Sequence, residues 1–312
     1  MIDVAVSLGA QKNKATEELQ KVLEFEIKLA NISLVQEDKR NATKLYNPTT
    51  LAKFPSGGGL PDSWTIYFQK LFDFGDEKLD IQETERVIIV DVNFYQNLSS
   101  VLESTDTRTL ANYIGWRIAH QAMDYLGSEA RDVLQKFMKA ITGADQKSPQ
   151  WKICLGKVAS HYKYVESSIY ARFIFNADSK KQVLDMTQYL RRSFAKILDD
   201  VNWMDNETKN KARKKLANMK EHMAYPDELL NSEKVDEVYS ALDPDEEDYV
   251  GNTLKTLKHL DQYNELHLRE VVDPEDWRDW KSAASVDANY MPRKNTIGFQ
   301  AGILQGTVLA PL

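Results

Sequence analysis

The chain contains 312 residues, of which 42% are hydrophobic and 28% are charged, which is the balance of an ordinary globular protein. A formal net charge of −7 argues against a nucleic-acid-binding protein, because such proteins normally carry a basic surface. No stretch approaches the roughly 20 consecutive apolar residues of a membrane-spanning helix, and residues 1–10 lack the basic start and apolar core of a signal peptide.

The first 280 residues are predicted to be mainly helical. Apolar residues such as Leu19, Val22 and Leu23 recur at helical spacing, with charged residues between them. Glycines 57–59 have no strand before them and no Gly-Lys-Ser/Thr after them, so they predict a surface loop and not a phosphate-binding loop. The predicted elements of the first half are a helix over 14–29, a loop over 56–61, an amphipathic segment over 64–74, a strand over 86–90, and helices over 105–126 and 128–141.

The second half continues with helices and then changes character. A helix is predicted over 180–198, and Asp205 opens another that carries acids at its start and bases after them, and that runs to Tyr225-Pro226. An acidic loop over 243–248 precedes a helix over 249–263. Beyond Asp273-Pro274 the pattern predicts strands over 283–290 and 296–299, separated by a turn over 292–295.

Cysteine content and glycosylation signals favour different compartments. The single Cys154 cannot form a disulfide within the chain, which by itself favours a reducing compartment. Four Asn-x-Ser/Thr sequons favour secretion, and they predict glycosylation at Asn31, Asn41, Asn97 and Asn206. An odd cysteine in a secreted protein suggests a pairing partner elsewhere.

No complete active site is recognisable from residue spacing. The five histidines include no His-Glu-x-x-His pair, and none lies four residues from another, so no zinc-binding helix is predicted. Cys154 lacks the surroundings of a thiol-protease nucleophile, and no Gly-x-Ser-x-Gly elbow is present. From the residues alone, we assign no catalytic residue to this chain.

Several segments nevertheless resemble one family closely. Residues 286–290 and 295–305 are similar to the signature of the neprilysin and endothelin-converting-enzyme family, which reads Val-Asn-Ala-x-Tyr and continues to Ile-x-Phe-Pro-Ala-Gly-Ile-Leu-Gln. The resemblance extends from about residue 15 to residue 305. Further segments that resemble the family are 112–117, 148–154, 198–209 and 225–227.

The resemblance implies a mainly α fold in two parts. Residues 1–280 would be the helical N-terminal domain, and residues 281–312 the first β-strands of a thermolysin-like zinc metallopeptidase domain. In the family, zinc is bound by a His-Glu-x-x-His helix and a more distant glutamate beyond the Ala-Gly-Ile-Leu-Gln segment. We therefore expect a fragment of a peptide-cleaving metalloendopeptidase that binds no zinc and is inactive alone.

The resemblance also implies substrate-binding residues in the signature. In the family, an Asn-Ala-x-Tyr strand binds the substrate backbone, and the matching residues here are Asp287, Ala288 and Tyr290. A carboxylate at 287 only accepts hydrogen bonds, whereas the family's amide also donates, so the alternative that Asp287 has no ligand role stays open. Ile303 matches a pocket-lining isoleucine, with plain packing as the alternative. Gln300 replaces the family's proline, and the sequence after Gln305 also departs from the family pattern.

Compartment and partners follow from the same resemblance. Family members are mainly secreted or type II membrane peptidases, which implies an extracellular location or an ectodomain. In the family, the cysteine matching Cys154 pairs with one in the catalytic half, so that half, or an intact homologue, is a possible partner beside peptide substrates. Two other interpretations remain open: a noncatalytic protein that binds peptides or proteins, and a structural remnant without activity.

Overall fold

The computed structural model describes residues 1–73 and 79–305, and these residues are mainly helical, as predicted. The chain divides into two compact units, Met1–Lys147 and a second unit that begins at Ser148. Nowhere in the described ranges is a helix both long enough and apolar enough to cross a bilayer.

The first unit consists of helices and one small sheet. Its long helix Lys12–Ile32 contacts the helices Ile2–Ser7, Val92–Glu103 and Thr107–Ala122, and it buries Val22 and Phe25. The Phe25 ring meets Tyr113 edge to face, with 4.9 Å between the ring centroids. The elements are α1 (Ile2–Ser7), α2 (Lys12–Ile32), β1 (Asn47–Thr50), α3 (Trp64–Leu71), β2 (Arg86–Ile89), α4 (Val92–Glu103), α5 (Thr107–Ala122) and α6 (Ser128–Thr142).

The predicted elements of this half are confirmed with modest shifts of their ends. The strand predicted over 86–90 is β2, which pairs antiparallel with β1, a strand that the sequence did not predict. The amphipathic segment predicted over 64–74 is α3, and Phe74 lies outside the described residues. Helix α6 ends at Thr142 and is capped by Gly143, whose φ of 75° places it in the left-handed region favoured by glycine.

The glycine loop lies close to α4. Gly58 has a φ of 60°, and a Cβ built there would lie 1.6 Å from the Ser99 Oγ. Glycine is therefore required both by the backbone conformation and by the close approach to α4. The loop prediction is confirmed, and the triplet has this packing role.

The second unit contains the remaining helices and a three-stranded sheet. In the part of this unit that the structure describes, four helices begin where a short polar side chain accepts a hydrogen bond from the first turn. Asp205, for example, accepts from the Thr208 N–H at 2.7 Å. The elements are α7 (Gln150–His161), α8 (Lys163–Phe173), α9 (Ala177–Asp200), α10 (Asn206–Ala217), β3 (Lys220–Ala224), α11 (Ser232–Tyr239), α12 (Tyr249–Leu266), β4 (Ala288–Met291) and β5 (Thr296–Gln300).

The prediction that one helix runs from Asp205 to Tyr225-Pro226 is wrong. Helix α10 ends at Ala217, and Lys220–Ala224 forms β3. Strand β3 pairs in parallel with β5, with His222 opposite Gly298. Strand β5, which supplies the hydrogen-bonding partners of β3, lies far along the chain. The periodicity of residues 220–224 alone therefore does not indicate a strand.

The sheet has the strand order β3-β5-β4, with β4 antiparallel to β5. The turn predicted over 292–295 is confirmed, and Asn295 closes it with a φ of 49°. Asn295 also donates a side-chain hydrogen bond to the Lys215 carbonyl at 2.8 Å. The predicted strand over 296–299 is β5.

The strand predicted over 283–290 is mostly wrong, because only Ala288–Met291 is extended and paired. Residues before it form a turn that is hydrogen-bonded to other parts of the unit. The Ala283 N–H donates to the Ser167 Oγ at 3.0 Å, and the Ala283 carbonyl accepts from the Gly302 N–H at 2.8 Å. The Ala283 N–H and C=O are therefore already hydrogen-bonded outside the sheet, so they are not available for strand pairing.

One face of the sheet covers the hydrophobic core of the second unit. Met223 on β3 is 1% exposed, and Ile297 and Phe299 on β5 pack against the same cluster. The rest of the core comes from helices and connecting segments: Ala171, Phe175, Val183, Ala224, Tyr225, Leu229, Val235, Ala283, Ala301 and Leu304. The sheet is thereby fixed to α8 and α9, and β4 is left at the edge.

The predicted division at residue 281 falls within this second unit. Strand β3 comes from the segment assigned to the helical domain, whereas β4 and β5 come from the segment assigned to the metallopeptidase domain. All three strands belong to one sheet. The boundary between 280 and 281 stays a prediction.

Candidate functional site: the outer edge of β4

Strand β4 has one paired edge and one open edge. The Gln300 N–H donates to the Asp287 carbonyl at 3.4 Å, which continues the β4–β5 ladder by one residue pair. Antiparallel strands alternate bonded and non-bonded pairs, so the backbone of Asn289 faces β5, whereas the N–H and C=O groups of Ala288 and Tyr290 face outward. Among the described residues no strand pairs with this outer edge.

Asp287 lies at the start of that edge and is held by two contacts. Its Oδ1 accepts a hydrogen bond from the Ala288 N–H at 2.8 Å, and its Oδ2 forms an ion pair with the Lys281 Nζ. Lys281 and the Ala288 N–H hold the pKa of the Asp287 carboxyl below its usual range. The carboxylate is therefore charged, and it already accepts the hydrogen bond of one outward-facing donor of the edge, the Ala288 N–H.

Beside Asp287, an amide pair spans β4 and β5. The Gln300 Nε2 donates to the Asn289 Oδ1 at 3.3 Å, across Gly298. A Cβ at Gly298 would lie 2.7 Å from the Asn289 Oδ1, so glycine makes room for this contact. Gln300 is 4% exposed, and its Oε1 has no hydrogen-bond partner in the described part of the chain.

Tyr290 marks the other end of the open edge. Its hydroxyl donates to the Asn295 Oδ1 at 3.1 Å, and the Lys215 Nζ lies 5.8 Å from the centroid of its ring. Tyr290 as a whole residue is 41% exposed. The edge therefore has a carboxylate at one end and an ammonium group near the other.

Ile303 lies away from the open edge, in a 3₁₀ turn spanning Ala301–Leu304 that follows β5. Its side chain is partly buried and packs against the hydrophobic core. The structure thus brings Asp287, Ala288 and Tyr290 together and gives Ile303 a packing contact. The pocket-lining role of Ile303 stays a prediction.

Cys154 and the sequon asparagines are exposed. Cys154 lies on α7 with a free thiol, and the Gln150 Nε2 is 3.5 Å from its Sγ. The sequon residues with exposed side chains are Asn31, Asn41, Asn97 and Asn206. An external disulfide and glycosylation both stay predictions, and both are sterically accessible.

The described residues do not fit a zinc site. No group of three or more His, Cys, Asp or Glu residues within 1–73 and 79–305 could hold a metal ion. His222 is 3% exposed and stacks on Trp280 with 4.0 Å between the ring centroids. Burial lowers the pKa of the His222 imidazole, and its Nε2 has no partner in these ranges. We derive no metal-dependent step from these residues.

Sequence reasoning missed the residues that tune the edge. Lys281 and Lys215 are unremarkable lysines in the sequence, and only the turn before β4 and the end of α10 place them near the strand. Gln300 was noticed only as a departure from the family's proline. A proline at this position would have no N–H to donate to the Asp287 carbonyl. The replacement of the family's proline by glutamine is therefore the signal in the sequence that could have indicated this contact.

Known proteins resemble the chain over nearly its whole length. The family profile described as Peptidase family M13 matches residues 1–226. Neprilysin-2 of Drosophila melanogaster is 35% identical over 98% of the chain, and the alignment covers 40% of that protein. For human membrane metallo-endopeptidase-like 1 the identity is 33%, with 98% of this chain and 40% of the relative covered. Human neprilysin is 30% identical, with 96% and 40% covered.

Solved structures have the same fold. The zinc metalloprotease Zmp1 of Mycobacterium tuberculosis, in complex with an inhibitor, superposes with a TM-score of 0.82 at 21% identity, covering 97% of this chain and 43% of that one. For PepO from Lactobacillus rhamnosis the TM-score is 0.80 at 23% identity, with 97% and 45% covered.

The profile match covers more than half of the chain, and the curated relatives match almost all of it. The chain spans about 40% of the length of these relatives. On these grounds the chain belongs to peptidase family M13, as a relative of the neprilysins.

Proposed function

We propose that the chain supplies the helical portion and the substrate-binding strand of a neprilysin-like zinc metalloendopeptidase. The observation that carries the proposal is the open edge of β4, where the backbone groups of Ala288 and Tyr290 face outward. An extended peptide binds such an edge as an added strand, through backbone hydrogen bonds that tolerate many sequences. Asp287, Ala288 and Tyr290 are the proposed peptide-binding residues.

Hydrolysis needs residues other than those described. Zinc peptidases use a metal-bound water as nucleophile, held by histidine and carboxylate ligands. The sequence contains no His-Glu-x-x-His motif, and the described residues offer no metal cluster. We therefore propose that this chain binds peptides and that cleavage depends on a catalytic portion that it does not contain.

The location and a protein partner are part of the same proposal. Four exposed sequons fit an extracellular protein or ectodomain. In such a compartment, an exposed odd cysteine would pair with a cysteine elsewhere. The thiol of Cys154 is accessible to a cysteine of another chain, and the chemistry fits a disulfide to the catalytic half or to an intact homologue.

A combined binding and turnover assay tests the proposed function. We expect the fluorescence anisotropy of fluorescein-labelled peptides to increase when the chain is added, with dissociation constants on the order of 0.1–1 mM. Binding should be this weak because a few backbone hydrogen bonds of about 1 kcal/mol each must offset the cost of ordering the peptide. With an internally quenched peptide and added zinc, we expect no cleavage. Cleavage that a chelator abolishes would contradict the assignment of catalysis to residues outside this chain.

A further inference from the structure

The charge at the start of the β4 edge distinguishes this strand from the amide-bearing strand that the family signature implies. Asp287 presents a carboxylate there, and its side chain is 47% exposed. The carboxylate only accepts hydrogen bonds and carries a full negative charge. A peptide that binds along Ala288 and Tyr290 must pass this group, because the strand begins directly after it.

The contact with Lys281 shows that a cation is accommodated at this carboxylate. Lys281 is 46% exposed, and the pair lies at the surface. Exposed ion pairs contribute little to stability, because water screens them and both side chains lose freedom. A cationic group of a bound peptide can therefore replace Lys281 without disturbing the fold.

Gln300 lies on the same face as Asp287, but one strand further from the open edge. The backbone bond from Gln300 to Asp287 places these residues opposite each other, and opposite residues of an antiparallel pair share a face. The Gln300 Oε1 is buried and has no partner among the described residues. Because this oxygen is buried on the central strand, Asp287 is the exposed acceptor that a peptide on the open edge meets.

We infer that Asp287 makes the start of the β4 edge selective for peptides with a positively charged group, a lysine or arginine side chain or an amino terminus, opposite it. This inference rests on the proposed peptide binding. Lys215 at the Tyr290 end supports it, because an ammonium group there favours the opposite charge and so gives the bound peptide a preferred direction. The simpler explanation is that Asp287 only forms the ion pair with Lys281 and has no effect on peptide selectivity. The following experiment distinguishes this explanation from the inference.

The experiment measures binding of three labelled peptides that differ in one residue, lysine, glutamine or glutamate, to the 312-residue chain at low salt. We expect the lysine peptide to bind about five-fold more tightly than the glutamine peptide, and the glutamate peptide about five-fold less tightly. Asp287→Asn should reduce each difference to below about two-fold, and Lys281→Gln should enlarge the preference for lysine, because it frees the carboxylate. Raising the salt should shrink the differences.

Asp279→Asn is the matched control. Asp279 also pairs with a lysine, Lys294, and is 55% exposed, so this variant removes the same charge from the same unit, in a pair that includes neither Asp287 nor a residue of β4. In this variant the lysine peptide should still bind most tightly and the glutamate peptide least tightly. The circular dichroism spectra of all variants should match that of the wild-type chain. Equal binding of the three peptides to the wild-type chain, or a ranking that persists in Asp287→Asn, overturns the inference and leaves the proposed function standing. Failure of every peptide to bind overturns the proposed function and the inference with it.

Discussion

Replacing Gly302 with alanine is expected to lower the free energy of unfolding of the second unit by about 3 kcal/mol. Gly302 is buried in the turn after β5, and its N–H donates to the Ala283 carbonyl at 2.8 Å. A Cβ there would lie 2.4 Å from the Ala284 carbonyl oxygen and 2.7 Å from that of Ser285. These are backbone atoms that cannot rotate away, so a whole chain segment must shift.

The same substitution should also weaken peptide binding, because the displaced segment leads directly into β4. Urea unfolding followed by circular dichroism measures the stability, and the anisotropy assay measures the binding. Gly156→Ala is the control: nothing lies within 4 Å of a Cβ built at Gly156, which is inside α7. That variant should keep its stability or gain up to about 1 kcal/mol from helix propensity. If both variants unfold at the same urea concentration, the close packing of Gly302 is not as described.

Truncating Met223 to alanine is expected to lower the free energy of unfolding by about 3–4 kcal/mol. Met223 lies on β3, is 1% exposed and belongs to the core cluster beneath the sheet. Removing its side chain loses the transfer free energy of the buried atoms and leaves a cavity that the surrounding core only partly refills.

Met186→Ala provides the comparison for Met223→Ala. Met186 is the same residue type in the same unit, on α9, but it is 42% exposed. We expect its truncation to cost less than about 1 kcal/mol. Denaturation midpoints of the two variants should differ clearly, and similar midpoints would show that β3 does not cover the core.

Several helices were predictable because their signals are local. Helix α9 shows the apolar spacing that predicts it, and α10 begins at Asp205, whose side chain caps its first turn. The end of α10 was not predictable in the same way. Residues 220–224 become a strand only because β5 offers a parallel partner, and that pairing depends on contacts distant in sequence.

The candidate site was predictable only in part. The signature resemblance identified Asp287, Ala288 and Tyr290, and the structure brings them to one strand edge. The contacts of Asp287 with Lys281 and of Asn289 with Gln300 depend on the turn before β4 and on strand register. Neither a spacing rule nor composition encodes those two features, so the charge balance of the edge required the three-dimensional structure.

Residue-resolved hydrogen exchange of β4 tests most directly whether peptides bind as an added strand. The Tyr290 amide faces the open edge, whereas the Asn289 and Met291 amides face β5. With saturating peptide, we expect exchange at Tyr290 to slow by about ten-fold or more, and exchange at Asn289 and Met291 to change little. An unchanged Tyr290 amide in a chain saturated with peptide would contradict binding along this edge.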